Sequence, residues 1–398
     1  MSTTTAVAID SETPLSPPPT KLQKLKTFCI TNSLLLGILV SILLALAYPK
    51  LGAVYLAPQI TATWICVIYI FLLSGISLKT KELVNALANW RFNAVVQVFS
   101  LGVVSGLTYL LTRFLLVINA TSTNLAEGLV ITSCLPMTIN MVIVLTKSAG
   151  GDEASAVFNA AFGNLLGVFL TPALVLAYLG ESDSINFLNV LFKLGVRVLL
   201  PLAVGQVIQF FFIKVKDFVN ENKFYFKKSQ EFALIFIVYT VFCKNFYDDG
   251  TEDDDSDSIG ATTGEVIIMI VIIALWIIVL MCLSWVTFYG LYRNYPTLRV
   301  FALFGCSHKT IAMGIPLITA LYETSPKLAL YTLPILVWHP TQLILGSLLA
   351  PRLVKWVEGE KERLNLEDDG FTKKNDRPRS EEEQFTIEER GEGENNVL

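Results

Sequence analysis

Charge is scarce in this chain: Asp, Glu, Lys and Arg make up only 16% of its 398 residues, against roughly 25% in a soluble globular domain. That scarcity argues against a soluble fold. The cysteines Cys29, Cys66, Cys134, Cys243, Cys282 and Cys306 include no C-x-x-C pair. Each sits inside or at the edge of an apolar run, which excludes a disulfide frame or zinc site and predicts small buried hydrophobes. No metal, cofactor or catalytic centre is expected, and nothing in a chain of net charge -4 reads as a nucleic-acid site. The segment before Phe28 carries Asp10, Glu12 and the run Pro14–Pro19, which suits neither a cleavable signal nor an acid-poor transit peptide. The first apolar span is therefore expected to be an uncleaved signal anchor. The acidic stretch Asp248–Asp257 lacks EF-hand spacing and reads as a solvated loop. No ring of in-membrane carboxylates is available for a cation filter, and Glu265 stands only at a helix end. A calcium channel is disfavoured on that ground.

What the chain does have is apolar length, with 53% hydrophobic residues. Charges gather in 1–27, in Lys214–Lys228, in Asp248–Asp257 and beyond Val354, leaving runs of bilayer-spanning length between them. These runs predict ten helices near 28–48, 61–78, 92–112, 125–147, 153–179, 188–213, 231–247, 264–291, 297–321 and 328–350. Basic residues set the direction. Lys21, Lys24, Lys26, Lys79, Lys81, Arg91, Lys147, the lysines of 214–228, Arg293, Arg299, Arg352 and Lys355 all fall on one side. Only Lys50, Arg113, Lys244 and Lys327 fall on the other. By the positive-inside rule both termini are expected in the cytoplasm. Residues 1–27 and the acidic tail 356–398 are too poor in apolar side chains to fold and are expected to be disordered.

The expected fold is an all-α polytopic membrane protein with a transmembrane domain over 28–355. Five helices (28–179) start inside and five (188–350) start outside, the inverted-repeat plan of many secondary transporters. Topology alone leaves an asymmetric ten-helix bundle open. The fourth helix of each half carries a polar interruption. In the first, Pro136 removes a backbone donor, and Thr138 and Asn140 follow within a turn. In the second, Gly305, Ser307, His308, Lys309 and Thr310 form a polar knot in an apolar stretch. Paired breaks of this kind point to a transport site, with Pro136 and Gly305 as the expected breaks. Taken singly, Pro136 is equally a simple kink and Asn140 a hydrogen bond to a neighbouring helix. Lys309 is harder to dismiss, because a lysine at the bilayer centre costs about 2.5 kcal/mol or more. His308 is open between site and packing, and His339 reads as a hydrogen-bonded structural residue. On helix five Ser155 and Asn159 share a face, with Asn164 more than a turn beyond; site lining and helix packing are both open for this stripe. Ser380, between basic residues and acids in the tail, is a candidate kinase target. The sequon at Asn119 is a candidate glycosylation site in a short non-cytoplasmic loop.

These stretches resemble the bile acid:sodium symporter superfamily, most closely its sodium/bile acid cotransporter seven-like branch, which includes fungal calcium-homeostasis regulators. The matching segments are Ser74–Leu83, Leu135–Asn140, Thr146–Gly163, Ser307-His308-Lys309-Thr310 and Leu333–Gly346. The resemblance implies ten spans, a core and a panel domain, and broken helices four and nine that cross. It implies that Asn140 matches a sodium-site asparagine and that Ser155 and Asn159 lie near sodium-site hydroxyls. One departure stands out: sodium-coupled members carry a glutamate and a glutamine by the second break, where this chain has Leu303–Lys309. The resemblance thus leaves sodium coupling in doubt, and the Lys309 ammonium is expected to replace a sodium ion. The branch implies a membrane protein that negatively regulates calcium influx, by alternating-access transport of a small solute, an organic anion. The alternative is a regulator that transports nothing and inhibits a partner calcium channel. The plasma membrane is the expected compartment, with Golgi or another endomembrane as the alternative.

Overall fold

A computed structural model describes residues 33–77, 90–180, 192, 195–247, 263–322, 325 and 327–364. The expectations for 1–27, Cys29, Asp248–Asp257 and Ser380 lie outside the described residues. Within them the chain is all-α. The first half comprises α1 (Ser33–Ala47), α2 (Thr61–Ser77), α3 (Trp90–Val117), a divided α4 (α4a, Thr123–Ser133; α4b, Ile139–Ser148) and α5 (Glu153–Leu179). The second comprises α6 (Gly195–Phe211), α7 (Lys223–Phe246), α8 (Thr263–Leu291), a divided α9 (α9a, Pro296–Ser307; α9b, Ile311–Leu321) and α10 (Leu328–Arg363).

Packing repeats between the halves. α2 lies along α6 and α1 along α7, and these two pairings exchange when the halves are exchanged. α3 packs on α4a as α8 packs on α9a, and α4b on α5 as α9b on α10. The molecule is a polytopic membrane protein of two inverted five-helix repeats. Its helices fall into two groups: α1, α2, α6 and α7 in one, and the remaining six around the divided helices in the other. The groups meet chiefly where α7 lies against α9b and α10. The exterior is apolar, as a lipid-facing surface requires. Leu39, Leu43 and Leu46 of α1 and Ile268, Val271 and Leu275 of α8 all point outward. Cys282 of α8 is also exposed and not a buried filler as expected; Cys134, Cys243 and Cys306 are buried. In lipid an outward thiol needs no protein partner, so burial is not required of it.

Small residues let backbones meet. Gly75 of α2 and Gly205 of α6 face each other, and a Cβ on either would strike the other helix's backbone, at Leu202 and Leu72 respectively. Within the six-helix group, Phe92 of α3 packs edge-on against Phe288 of α8 at 5.9 Å.

Several boundaries differ from expectation. A nine-residue helix, Ile213–Glu221, occupies part of the basic run, with Val219 buried on Leu73 and Ile76. α7 starts at Lys223 rather than 231, because the Lys228–Glu231 ion pair (2.7 Å) is satisfied on the helix itself. The tail is not free from residue 356: α10 continues to Arg363. The cause is Arg299, a buried guanidinium boxed by Trp285, Tyr289 and Trp356 at 5.1, 4.5 and 4.6 Å and faced by Glu360 at 3.6 Å. Arg363 also clasps Glu360 at 2.7 Å, and this hydrogen bond, with Arg299 beside it, holds the Glu360 carboxyl below its ordinary range. Asn119 is exposed in the α3–α4a turn, in a left-handed conformation (φ 52) that asparagine tolerates.

Candidate functional site

A divided helix exposes carbonyls that have lost their intrahelical donors, and at membrane depth each needs a partner. In the first gap the four carbonyls from Cys134 to Met137 each have one. Cys134 O accepts from Thr171 Oγ1 (2.8 Å), Leu135 O from Lys309 Nζ (2.9 Å), Pro136 O from the Thr310 amide (3.0 Å) and Met137 O from Asn164 Nδ2 (2.8 Å). Two of these four donors belong to the second gap, so the interruptions close on each other. Pro136 breaks α4 as expected. Its ring lodges against Gly167 of α5, where a Cβ would lie 2.7 Å from Pro136 Cγ.

The second gap begins after Ser307. Gly305 is helical and does not break α9, which is a correction; the Phe301 ring fills its Cβ space, 2.8 Å away. Gln342 of α10 holds the gap open by treating Lys309 as a strand neighbour would. Its Oε1 accepts from the Lys309 amide (2.7 Å) and its Nε2 donates to the Lys309 carbonyl (2.9 Å). The same Nε2 lies 3.0 Å from His339 Nδ1, giving His339 a hydrogen bond. Trp338 Nε1 donates to Ser307 O at 3.3 Å. Ser307 Oγ donates to Leu303 O (2.7 Å) and lies 3.0 Å from His308 Nδ1. Since the serine proton is used, His308 donates through Nδ1, and its Nε2 is left as a buried acceptor with no partner among the described residues.

Lys309 is fully buried. Its ammonium also donates to Ser100 O at 2.7 Å, with Ser100 Oγ at 3.5 Å. Ser100 lies in a π-helical stretch of α3, Val98–Val103. Such a local widening frees carbonyls from the α-helical ladder and is common at functional sites. Among the described residues no carboxylate pairs with the ammonium. Oxygen dipoles from α3 and α4a stabilise the charge instead.

The predicted site residues separate into three sets. Lys309, Thr310, Ser307 and His308 meet Pro136 at the crossing. Thr138 and Thr310 occupy equivalent positions as N-caps of α4b and α9b, both extended (φ -73, ψ 133 and φ -88, ψ 125), and neither hydroxyl caps its helix. Asn140, the second residue of α4b, is exposed, and its side chain has no hydrogen-bond partner among the described residues. Ser155 and Asn159 lie elsewhere, in a network between α5 and α3. Ser155 Oγ donates to Asp152 (2.7 Å), Asn159 Nδ2 to Asn93 Oδ1 (2.7 Å), and Gln97 Nε2 to Asn159 O (2.9 Å). Gln97 and Ser100 stand a turn apart on α3, so that helix joins this network to Lys309.

Sequence reasoning missed Ser100, Gln97, Asn93, Thr171 and Gln342. Gln342 lay in the motif-like stretch Leu333–Gly346 without distinguishing itself from other polar residues. It also missed Glu127, a carboxylate inside a predicted span. Chemically, the N-termini of α4b and α9b bring positive dipole ends together beside two uncommitted threonine hydroxyls and Asn140. Lys309 meanwhile neutralises the carbonyl end of α4a. The arrangement suits an anionic group.

Comparison with known proteins agrees with this architecture. The SBF-like CPA transporter family profile matches residues 32–355. Sodium/bile acid cotransporter 7 of Mus musculus is 34% identical over 342 residues, covering 83% of this chain and 95% of that protein. Sodium/bile acid cotransporter 7-B of Xenopus laevis is 33% identical over 337 residues, covering 83% and 94%. Solute carrier RCH1 of Saccharomyces cerevisiae is 32% identical over 203 residues, 46% of each chain.

Proposed function

The chain belongs to the SBF-like CPA transporter family, and from that premise we propose that it carries an organic anion by alternating access across the crossing of α4 and α9. We further propose that this activity limits calcium influx and so lowers cytosolic calcium. As a class, the chain is a secondary-transporter-like polytopic membrane protein. One observation carries the solute reading: Thr138 and Thr310 present unused hydroxyls at two converging helix N-termini, with Asn140 exposed beside them. An anion gains from that combination of dipoles and donors.

Sodium coupling through the crossing is disfavoured. A cation there needs hard oxygen ligands, and Lys309 already takes the Leu135 and Ser100 carbonyls. In our reading the ammonium stands in for a bound sodium ion as a permanent tie. Calcium regulation is supported by the resemblance to fungal calcium-homeostasis regulators. A plasma-membrane site with both termini cytoplasmic is supported by the basic loops; Golgi placement is the alternative.

Reconstituted vesicles loaded against a bile acid as probe anion test the carrier. Uptake by the wild type that is abolished by Asn140→Ala is the expected result. No uptake, with a cellular calcium phenotype that survives both Asn140→Ala and Lys309→Ala, would instead favour a non-transporting regulator of a calcium channel.

A further inference from the structure

We infer that the connection between α6 and α7 is a binding surface for anionic phospholipid headgroups, held by Lys214, Lys223 and Lys227. The chain leaves α6 at Phe211, forms the helix Ile213–Glu221 and enters α7 at Lys223. Phe210, Phe211 and Phe212 are exposed before that helix, Phe218 on it, and Phe224 and Tyr225 after it. A cluster of aromatic side chains is costly to leave in water, and such rings gather where a bilayer's hydrocarbon meets its headgroups. They set the depth of this segment at that boundary. Lys214, Lys223 and Lys227 stand exposed among them, at the height of lipid phosphates and carboxylates.

Packing fixes how the connecting helix lies. Val219 is buried on Leu73 and Ile76 of α2, and Val215, one turn before, packs beside it. Helical spacing turns the exposed Asp217 and Glu221 away from that face and leaves Lys214 and Phe218 on the flank between. The Phe218 ring meets Phe226 of α7 edge-on at 5.9 Å. This flank therefore runs on into the first turns of α7, where Lys223 and Lys227 share a face. Elsewhere on this side of the molecule Lys147 meets Glu153 at 2.9 Å, Lys228 meets Glu231 at 2.7 Å and Arg299 meets Glu360 at 3.6 Å. Among the described residues no carboxylate pairs with Lys214, Lys223 or Lys227. Their charges are left for an external anion. Spread over separate helices, they suit several singly charged headgroups rather than one phosphate in a pocket. The connecting helix packs on α2, α6 and α7, so lipid bound here grips the four-helix group and not the crossing.

Lipid binding is measured without a transported solute, so its outcome is independent of the proposed carrier. The full chain is compared in nanodiscs of phosphatidylcholine alone and of phosphatidylcholine with phosphatidylserine in equal amounts. Thermal unfolding and hydrogen exchange over 213–228 are the readouts. Phosphatidylserine should raise Tm and slow exchange in that segment, and added salt should reverse both by screening. The Lys214→Gln/Lys223→Gln/Lys227→Gln variant should lose both responses. Arg352→Gln/Lys355→Gln, at exposed positions of α10 outside the aromatic cluster, should keep them. In a detergent titration with phosphatidylserine, each single lysine variant should need roughly five times more lipid for half-saturation. A wild type indifferent to phosphatidylserine, or a triple variant that responds like wild type, would overturn the surface. So would a response lost in the Arg352→Gln/Lys355→Gln variant instead, or an equal response to inorganic phosphate in phosphatidylcholine nanodiscs. Should the triple variant fail to fold, the single variants decide, and wild-type half-saturation in all of them contradicts the surface.

Discussion

The amide of Thr310 donates to the carbonyl of Pro136 across 3.0 Å, so the backbone of one divided helix closes on the backbone of the other. A proline leaves α4 without one donor, and its own carbonyl finds a donor 174 positions later (310 minus 136) rather than one turn later. The two breaks therefore depend on each other, and groups that hold one open should support both.

Gln342 is such a group. Gln342→Leu leaves the amide and carbonyl of Lys309 buried and unpaired, each at a cost of about 1–3 kcal/mol. Chemical or thermal unfolding in detergent should show that loss. Stability equal to wild type would mean that water or a shifted α10 replaces the side chain.

Gly167→Val tests the seat of Pro136. Its Cβ would fall 2.7 Å from Pro136 Cγ, and overpacking of this sort costs about 1–3 kcal/mol. Gly167→Ala should be milder. If both variants unfold at the wild-type temperature, the proline ring does not occupy that seat.

Thr138→Val and Thr310→Val separate binding from folding. Neither hydroxyl caps its helix, so stability should stay within about 0.5 kcal/mol of wild type. Uptake of the probe anion should weaken in both, and most in the double variant. A large stability loss with unchanged uptake would assign these hydroxyls to the scaffold.

Much of this fold is legible in order of amino acids alone, because a bilayer imposes a length and a polarity that any helix must meet. Pro136 and the Ser307–Lys309 knot stand out for the same reason: polar groups are costly there. Ser100 and Gln342 do not stand out. Their role comes from the depth at which α3 and α10 pass Lys309, which only packing fixes. Ser155 and Asn159 share a face as expected, yet that face meets Asn93 and Gln97 of α3, since helical spacing gives a face and not its neighbour. Trp356, Glu360 and Arg363 look like a solvated tail by composition. At spacings of four and three they form one face, and Arg299 gives Trp356 and Glu360 a partner.

Acid should loosen that last turn of α10. The Glu360 carboxyl is depressed in the fold by Arg363 and Arg299. Its contribution is therefore present above the ordinary carboxylate value of 4.5 and is lost as pH falls through the lower folded value. Hydrogen exchange over 356–363 should accelerate below that range in the wild type and already be fast near neutrality in Glu360→Gln. Equal protection in both proteins at neutral pH would assign the helical extension to the Trp356 contacts alone.

The most direct measurement is the unfolding free energy of Lys309→Met, a side chain of similar length without the ammonium. Two buried carbonyls, Leu135 and Ser100, would then lose their donor, and a destabilisation of about 2–6 kcal/mol is predicted. Wild-type stability in that variant, in the absence of sodium, would contradict a crossing held together by the lysine.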